Sequence, residues 1–330
     1  MDGSLTFSKR PVVLHQRKIM STKQTPDKSD LLNDIPPYIY GTTRLGDQNL
    51  PFEDRVGVAR AAMQGTNWFH TSHSYGNALQ VLRAAFDQDD TRIPKLIVKI
   101  GWKNIEELRD VVHKHLIALR LENLEVGQLC LSESLAEEYA SGGACYEELA
   151  RLKQQGLVNR FVLEVFPWTS DVALKALRGG YPEGIVDGYI FYLNPLQRFA
   201  SNELWDELVE RSEPMIAMRT VAGGNIYRLR DIPGYAWKSY LQERAAEVTP
   251  IFERSGIERW TEFCVRFAHS FPLVHATVGA TSKLENLKEF LSAAASRDIE
   301  PLPTEIVQEI VKLHYRWSDE LDMKAEHWTM

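Results

Sequence analysis

Short apolar runs alternate with longer amphipathic stretches along most of the chain. The runs are nearly continuous and too short for typical helices, as in parallel strands that are covered on both faces. Eight of them follow one another: YIYGTT, WFHTS, KLIVKIG, VGQLCLSES, RFVLEVF, VDGYIFYLN, PMIAMRT and HATVGAT. Between them lie segments such as NIEELRDVVHKHLIALR, with apolar residues at helical spacing. About eight strand-plus-helix units in succession predict a single α/β domain, a (β/α)8 barrel.

The ends of the chain differ from this pattern. Residues 1–35 are polar and irregular, so we predict an N-terminal arm, in which the runs LTFS and PVVLH fit a hairpin. Residues 36–330 are predicted to form the barrel with a C-terminal tail, which fits either a cover over the barrel mouth or a surface helix. A doubly wound sheet is the structural alternative, although no G-x-G-x-x-G follows the first predicted strand.

Composition and charge narrow the partners. The formal net charge of −7 argues against nucleic acid, whose binding proteins usually present a basic face. No apolar run is long enough to span a membrane, and the first residues lack the apolar core of a secretory signal. Three cysteines without C-x-x-C spacing fit a reducing compartment. We therefore expect a cytoplasmic protein that acts on a small molecule, with its oligomeric state left open.

Polar residues cluster where the predicted strands end, which is where barrels of this class carry their chemistry. Lys99 lies at the centre of LIVKIGW, and an ammonium there needs a carboxylate, a phosphate or a catalytic partner. For Thr43, Ser132 and Ser282, helix capping is the simpler interpretation. The set comprises Thr42, Thr43, His70, Tyr75, Lys99, Ser132, Glu133, Glu164, Asn194, Arg219 and residues 279–282.

Several segments, in the right order, resemble the aldo-keto reductase family. GTNWFHTSHSYGNALQVLRAAF is similar to the family's strand that ends in D-T-A-x-x-Y-G and continues into a helix, and LIVKIGW resembles the strand that carries its lysine. YEELARLKQQGLVNRFVLEV, YLNPLQR, IAMRTVAGG and CVRFAHSFPLVHATVGATSKLENLKEF are similar to its later segments. The resemblance covers about residues 38 to 290. It implies a (β/α)8 barrel that binds NADP(H) at its mouth and transfers hydride to a carbonyl.

The resemblance also implies a catalytic set. The family uses a tyrosine acid, a lysine that lowers the tyrosine pKa, an aspartate that pairs with the lysine, and a histidine that orients the carbonyl. Carried over, the tyrosine is Tyr75 and the lysine is Lys99, whereas His70 and Ser132 occupy the aspartate and histidine positions. A neutral imidazole can accept a hydrogen bond from the ammonium but adds no countercharge. We therefore expect a lowered pKa for Lys99.

Two carboxylates could restore the missing charge. Glu133 and Glu164 follow or end neighbouring strands, so either could approach Lys99 from another direction. If the site turns over a substrate, we expect His70 to act as a neutral hydrogen-bonding substitute for the missing carboxylate. Ser132 can donate a hydrogen bond to a substrate oxygen but cannot relay protons as an imidazole can.

The implied cofactor site is only partly preserved. Val165 and Phe166 stand where the family has a Ser-Asn pair that holds the nicotinamide carboxamide, and Ile190 aligns near its glutamine. Weaker NADP(H) binding is therefore expected. The remaining cofactor candidates are Asn194, Arg219, Thr220, Gly279, Ser282 and Lys283.

Three functions stay open. The first is an NADP(H)-dependent oxidoreductase acting on a carbonyl or sugar-like substrate. The second is a non-redox barrel enzyme, such as a lyase, dehydratase or isomerase, and the third is a non-catalytic protein that binds nucleotide or a protein partner. A metal site is not expected, because His70 and His73 lack a third ligand. His113 and His115 are interpreted as surface or boundary residues of an amphipathic helix.

Overall fold

Eight parallel strands close into a barrel in the computed structural model, which describes residues 28–101, 104–222, 224–229 and 238–320. Each strand pairs with its neighbour in the order β1-β2-β3-β4-β5-β6-β8-β9, and β9 returns to β1. The barrel strands are β1 Tyr38–Gly41, β2 Trp68–Ser72, β3 Lys95–Gly101, β4 Leu124–Cys130, β5 Val158–Val165, β6 Gly188–Asn194, β8 Met215–Met218 and β9 Val274–Ala280. The two-residue strand β7, Gln197–Arg198, pairs antiparallel with β6. The predicted (β/α)8 barrel is confirmed, and the doubly wound alternative is excluded.

Eleven α-helices are present among the described residues, and most of them follow a barrel strand. The first six are α1 Phe52–Gly65, α2 Ala78–Gln88, α3 Ile105–Leu119, α4 Glu133–Ser141, α5 Ala144–Gln154 and α6 Ser170–Gly179. The others are α7 Asn202–Glu210, α8 Lys238–Arg254, α9 Trp260–His269, α10 Leu284–Ala293 and α11 Thr304–Glu320. None of the described helices is both long and apolar enough to cross a membrane.

Burial on both faces explains why the strands are so uniformly apolar. All seven residues of β6 are buried, because side chains of one face fill the barrel and those of the other pack against the surrounding helices. The register places Lys99 of β3 between Ser72 of β2 and Gln128 of β4, and Gln128 beside Val162 of β5. Polar side chains near the ends of these strands therefore lie at similar heights around the mouth.

Two local features differ from the sequence prediction. The apolar pattern of the segment from about 235 to 270 predicts one long helical stretch, but the structure has two helices there, α8 and α9, which are separated near Gly256. Gly256 has a φ of +71°, a left-handed conformation that ends helices and favours glycine. Helix α4 was not predicted, because its sequence, ESLAEEYAS, has few apolar positions from which a period can be read.

The chain before residue 36 contributes to the barrel. Leu32 and Ile35 are fully buried, and Arg160 at the start of β5 donates a 3.1 Å hydrogen bond to the carbonyl of Leu31. Lys28 forms a 3.0 Å ion pair with Glu213, which precedes β8. These contacts lie at the end of the barrel opposite the mouth. The rest of the predicted arm, including its hairpin, lies outside the described residues, and the domain boundary at residue 36 remains a prediction.

Helix α11 covers the barrel wall beside α7 and α8. The guanidinium of Arg198 lies 4.6 Å from the ring centre of Tyr315, and that of Arg244 lies 4.3 Å from the ring centre of Trp317. Such cation–π contacts add to the apolar packing of the helix. The tail as far as residue 320 is therefore a packed helix, while residues 321–330 lie outside the described part of the chain.

Candidate active site

The loop after β2 carries Tyr75 and packs closely against the loop after β1. A Cβ added to Gly46 would lie 2.0 Å from the carbonyl oxygen of Tyr75, so only glycine allows this approach. Gly76 has a φ of +52°, and a Cβ there would meet the carbonyl oxygen of Gly46. Arg55 of α1 donates hydrogen bonds to the carbonyl of Leu45 and to the side chain of Asn77. The main chain on both sides of Tyr75 is thus fixed to neighbouring elements.

Lys99 and Glu164 form an ion pair across the mouth. The lysine Nζ lies 3.0 Å from both carboxylate oxygens, with the lysine side chain 15% exposed and the glutamate side chain 0% exposed. Burial acts to lower the pKa of Lys99, but the Glu164 carboxylate, together with weaker contributions from Cys130, Tyr75 and Tyr192, raises it, and the pKa lies well above its usual value. The lowered lysine pKa expected from the missing aspartate is therefore wrong. The countercharge comes from β5 instead of β2, by one of the two routes that the sequence left open.

Cys130 and Phe166 complete the surroundings of the ion pair. The Cys130 thiol lies 2.7 Å from the second carboxylate oxygen of Glu164, and the Lys99 ammonium lies 5.6 Å from the ring centre of Phe166. Burial raises the pKa of the Cys130 thiol well above its usual value, and the nearby carboxylate raises it further. The thiol therefore stays protonated and donates to Glu164.

Tyr75 lies in the field of this ion pair. Burial raises the pKa of Tyr75 to about 12, while the Lys99 ammonium acts to lower it and the Glu164 carboxylate to raise it. A hydrogen bond with the side chain of Thr43 also favours the ionised form. The net result is a phenol that carries its proton at neutral pH and can donate it.

His70 has a different partner from the one expected. Its Nε2 atom lies 2.6 Å from the side-chain oxygen of Gln128, whose amide nitrogen in turn contacts the sulfur of Met218 at 3.6 Å. Burial and, to a smaller extent, Lys99 lower the pKa of His70 to about 4, against the raising effects of the Gln128 hydrogen bond and of Glu164. The expected hydrogen bond between Lys99 and His70 is corrected: Glu164 takes that place, and His70 is a neutral side chain beneath it.

Ser132 lies at the mouth, at the N-cap position of α4, but its side chain makes no capping hydrogen bond, so the predicted capping role is not confirmed. It is the residue before α4, and its carbonyl accepts hydrogen bonds from the main chain of Leu135 and Ala136 at 3.1 and 3.0 Å. It is partly buried and follows Cys130 by two residues. The side chain of Glu133 lies outside the described part of the structure.

Two of the predicted cofactor residues use their polar groups inside the protein. The Asn194 amide donates to the carbonyl of Arg219 at 3.0 Å and its oxygen accepts from the main chain of Leu196 at 2.9 Å. Thr220 donates its hydroxyl proton to the carbonyl of Val278 at 3.0 Å. Arg219 itself has a φ of +53° and its guanidinium lies 5.4 Å from the ring centre of Tyr192.

The residues predicted to bind an anion after β9 do not all lie in positions that suit this role. Gly279 faces a helix rather than the mouth, since a Cβ there would lie 2.4 Å from the ring of Phe290. Ser282 is partly buried, and Lys283 is an exposed residue directly before α10. The free main-chain N–H groups at the start of a helix, beside a lysine, suit a phosphate. Ser282 and Lys283 therefore fit this role, whereas Gly279 serves packing.

Aromatic rings line the mouth around Phe166, one of the positions where the family resemblance implies an amide contact. Phe166 stacks on Trp168 with ring centres 4.6 Å apart, and Tyr192 stacks on Phe199 at 4.5 Å. Val165 is buried in β5. This wall offers apolar contact in place of the hydrogen bonds that a carboxamide group needs.

The sequence interpretation missed two buried polar residues near the site. Gln128 interrupts the apolar run of β4, which was a visible signal of an inward polar side chain. His115 was interpreted as a surface or boundary residue, but it is fully buried. Its spacing from Leu108, Val112 and Leu119 places it on the apolar stripe of α3, and that spacing could have revealed its burial. No group of three or more potential metal ligands occurs among the described residues.

Comparison with family models gave no match for the chain, and neither did comparison with curated protein sequences. Solved structures of aldo-keto reductases do match. The holo form of one from Bacillus halodurans superposes with a TM-score of 0.64 at 18% identity, covering 85% of this chain and 92% of the other. One from Klebsiella pneumoniae, in complex with NADP and acetate, gives 0.61 at 18% identity, covering 85% and 92%. A thermostable aldo-keto reductase with the inhibitor epalrestat gives 0.62 at 15% identity, covering 84% and 95%. The resemblance seen in the sequence is thus confirmed for the fold, which is that of the aldo-keto reductases.

Proposed function

We propose that this protein is an NADP(H)-dependent oxidoreductase that reduces a carbonyl or sugar-like small molecule. The observation that carries the proposal is the Lys99–Glu164 ion pair beside Tyr75 at the barrel mouth. The structural likeness to an aldo-keto reductase that was solved with NADP supports the choice of cofactor. The three cysteines are free thiols, which supports a reducing location such as the cytoplasm.

Tyr75, Lys99 and Glu164 each have a distinct role in delivering a proton to the substrate. Tyr75 donates its hydroxyl proton to the carbonyl oxygen of the substrate, and the Lys99 ammonium stabilises the phenolate that remains. Glu164 keeps Lys99 charged and holds it in place, as an aspartate on β2 does in the family pattern. Because the pKa of Tyr75 is about 12, its proton is held more tightly than is ideal at neutral pH, so we expect slow turnover.

The residues present fit the phosphate end of the cofactor better than its nicotinamide end. Ser282 and Lys283 at the start of α10 are the groups that would hold a phosphate, with Arg219 as a further cation on the same side of the barrel. The Asn194 amide is already bonded within the protein. Bound NADPH would supply the hydride for the carbonyl carbon. Val165 and Phe166 offer no amide group to a carboxamide, which supports weaker binding.

The two alternative functions have less support. A lyase or isomerase needs a free base at the mouth, but Glu164 is paired with Lys99, and raised pKa values keep Lys99 and Tyr75 protonated. A purely binding protein has no evident need for a buried ion pair beside a tyrosine. It is nevertheless one outcome of the test.

The test combines cofactor binding and turnover. NADPH fluorescence is titrated with the purified protein, and oxidation of NADPH is then followed with 4-nitrobenzaldehyde and with an aldose as carbonyl substrates. We expect the wild type to bind NADPH and to reduce the substrates slowly. Tyr75→Phe and Lys99→Met should each lower the rate of reduction by about 10²-fold or more without loss of NADPH binding. Tyr181→Phe, on an exposed tyrosine between α6 and β6 at the end of the barrel opposite the mouth, is the matched control. Binding with no reduction of either substrate would favour the binding protein.

A further inference from the structure

A histidine on the outer layer of the barrel is bonded to the loop that carries Tyr75. His115 of α3 is fully buried, and its Nε2 atom accepts a 3.0 Å hydrogen bond from the main-chain N–H of His73. Its Nδ1 atom lies 2.8 Å from the carbonyl oxygen of Val111, one turn earlier in the same helix. Since a carbonyl only accepts, Nδ1 must carry the proton, which leaves Nε2 as the acceptor. Both ring nitrogens are thus used, in one defined tautomer.

The hydrogen bond between His73 and His115 attaches the loop after β2 to α3. The other contacts of this loop come from the loop after β1, through Gly46, and from Arg55 of α1, through Asn77. Within the loop, the Ser72 hydroxyl accepts from the N–H of Ser74 at 3.2 Å. His115 approaches from α3 on the opposite flank, two residues before Tyr75.

An apolar residue would serve helix packing at this position without the cost of burying an imidazole. Burying a polar ring is unfavourable unless its hydrogen bonds are satisfied. Here one of the two bonds only repeats a contact within α3, whereas the other reaches a different element. The bond to His73 is therefore the feature that distinguishes a histidine from a leucine or phenylalanine at residue 115.

We propose that His115 is a positioning residue, which sets the place of the Tyr75 hydroxyl by anchoring the main chain of His73. The inference rests on the proposed function, because the hydroxyl matters only if Tyr75 delivers a proton. A displacement of the proton donor by about 1 Å can cost a large factor in rate. Burial lowers the pKa of His115 to about 4, so the ring remains a neutral acceptor across the neutral range.

The test uses two substitutions, one that removes the acceptor and one that keeps an acceptor. His115→Phe keeps a planar ring of similar size but removes the acceptor, whereas His115→Gln places a side-chain oxygen close to the position of Nε2. Amide hydrogen exchange of the peptide that contains His73 is measured by mass spectrometry, beside kcat, KM and NADPH affinity. His113→Gln is the control, because His113 is an exposed residue of the same helix.

We expect His115→Phe to speed exchange at His73 and to lower kcat, each about tenfold, the equivalent of one lost hydrogen bond, with NADPH affinity unchanged. His115→Gln should restore both, and His113→Gln should change neither. Unchanged exchange in His115→Phe overturns the anchoring, whether or not the enzyme is active. Faster exchange with an unchanged kcat in an active protein overturns the positioning role. If the exchange results are as expected but the wild type reduces no carbonyl, the anchoring stands and the proposed function fails.

Discussion

On the β2–β5 side of the barrel mouth, Lys99 and Glu164 hold opposite charges 3.0 Å apart beside a tyrosine. On the β6–β9 side, Asn194 and Thr220 direct their hydrogen bonds to main-chain atoms within the protein. Both regions differ from the aldo-keto reductase pattern at the level of individual residues. The first region nevertheless brings an ammonium, a carboxylate and a tyrosine together, whereas the polar groups of Asn194 and Thr220 in the second are bonded within the protein.

The difference reflects how each kind of interaction depends on geometry. The attraction between an ammonium and a carboxylate depends mainly on their distance, so a glutamate on β5 can replace an aspartate on β2. Contacts to a carboxamide need donors and acceptors at set angles as well as distances. The amide contacts that Val165 and Phe166 do not provide are therefore harder to replace from another strand than a missing charge is. We infer that proton delivery is better preserved than cofactor recognition in this barrel.

The largest expected effect concerns Tyr75. Tyr75→Phe should lower kcat for carbonyl reduction by about 10²–10⁴-fold, since that is the usual contribution of a positioned acid. NADPH affinity should stay within about twofold, because the phenol is proposed to act on the substrate. Steady-state kinetics and fluorescence titration on the same preparation measure both quantities. A variant that keeps more than a tenth of wild-type kcat would show that the preserved side of the mouth is not used for proton delivery.

The next effect tests whether the countercharge can be moved. Glu164→Gln should destabilise the fold by about 2–3 kcal/mol, less than for a fully buried pair because the Lys99 side chain is 15% exposed, and activity should fall with it. Adding His70→Asp returns a carboxylate to the family's position and should recover part of both losses. Urea unfolding and NADPH oxidation are the measurements.

Glu213→Gln is a matched control for that exchange of charges. Glu213 is also buried and paired with a lysine, but at the far end of the barrel. This variant should lose stability with little change in kcat. If Glu164→Gln behaves in the same way, the ion pair at the mouth has only a structural role.

The third prediction concerns acid. The folded protein holds His70 and His115 with pKa values of about 4, below the ordinary value of 6.5. Between these values the unfolded chain binds more protons than the folded one, so stability is complete above about pH 6.5 and falls as the pH is lowered towards 4. Each of these two buried residues should cost about 2–3 kcal/mol at pH 4.5 relative to pH 7.

Urea unfolding at pH 7, 5.5 and 4.5 measures this dependence. His115→Gln should flatten it, because a glutamine does not titrate, and the exposed His113→Gln should leave it unaltered. Equal free energies of unfolding at pH 4.5 and pH 7 would contradict the neutral, buried imidazoles on the β2–β5 side.

The smallest effect belongs to the cofactor side. Lys283→Ala should weaken NADPH binding about fivefold, the equivalent of about 1 kcal/mol, and should weaken NADH binding less if Lys283 contacts the additional phosphate. Arg219→Ala should add a loss of similar size. Lys288→Ala, on an exposed face of the same helix, is the control. Submicromolar NADPH binding that survives loss of both Lys283 and Arg219 would mean that the cofactor side is better preserved than we infer.

The sequence by itself determined a parallel α/β fold and favoured a barrel, because eight apolar runs separated by helical periods suit strands that are covered on both faces. It also determined that Lys99 needs a partner, since an ammonium within an apolar strand is costly alone. The apolar stripe of α3 also indicates that His115 is buried. These properties are local, and each can be read from a few neighbouring residues.

Only the tertiary structure decided which groups meet. Glu164 was one of two carboxylates within possible reach of Lys99, and the choice depends on barrel closure and on the register of β3, β4 and β5. The bond from His73 to His115 depends on how α3 packs beside the loop after β2. Whether Gly279 faces a phosphate or the ring of Phe290 is likewise a matter of orientation. Sequence spacing limits the candidates at each strand end, but distances between side chains on different strands are set by the closed barrel.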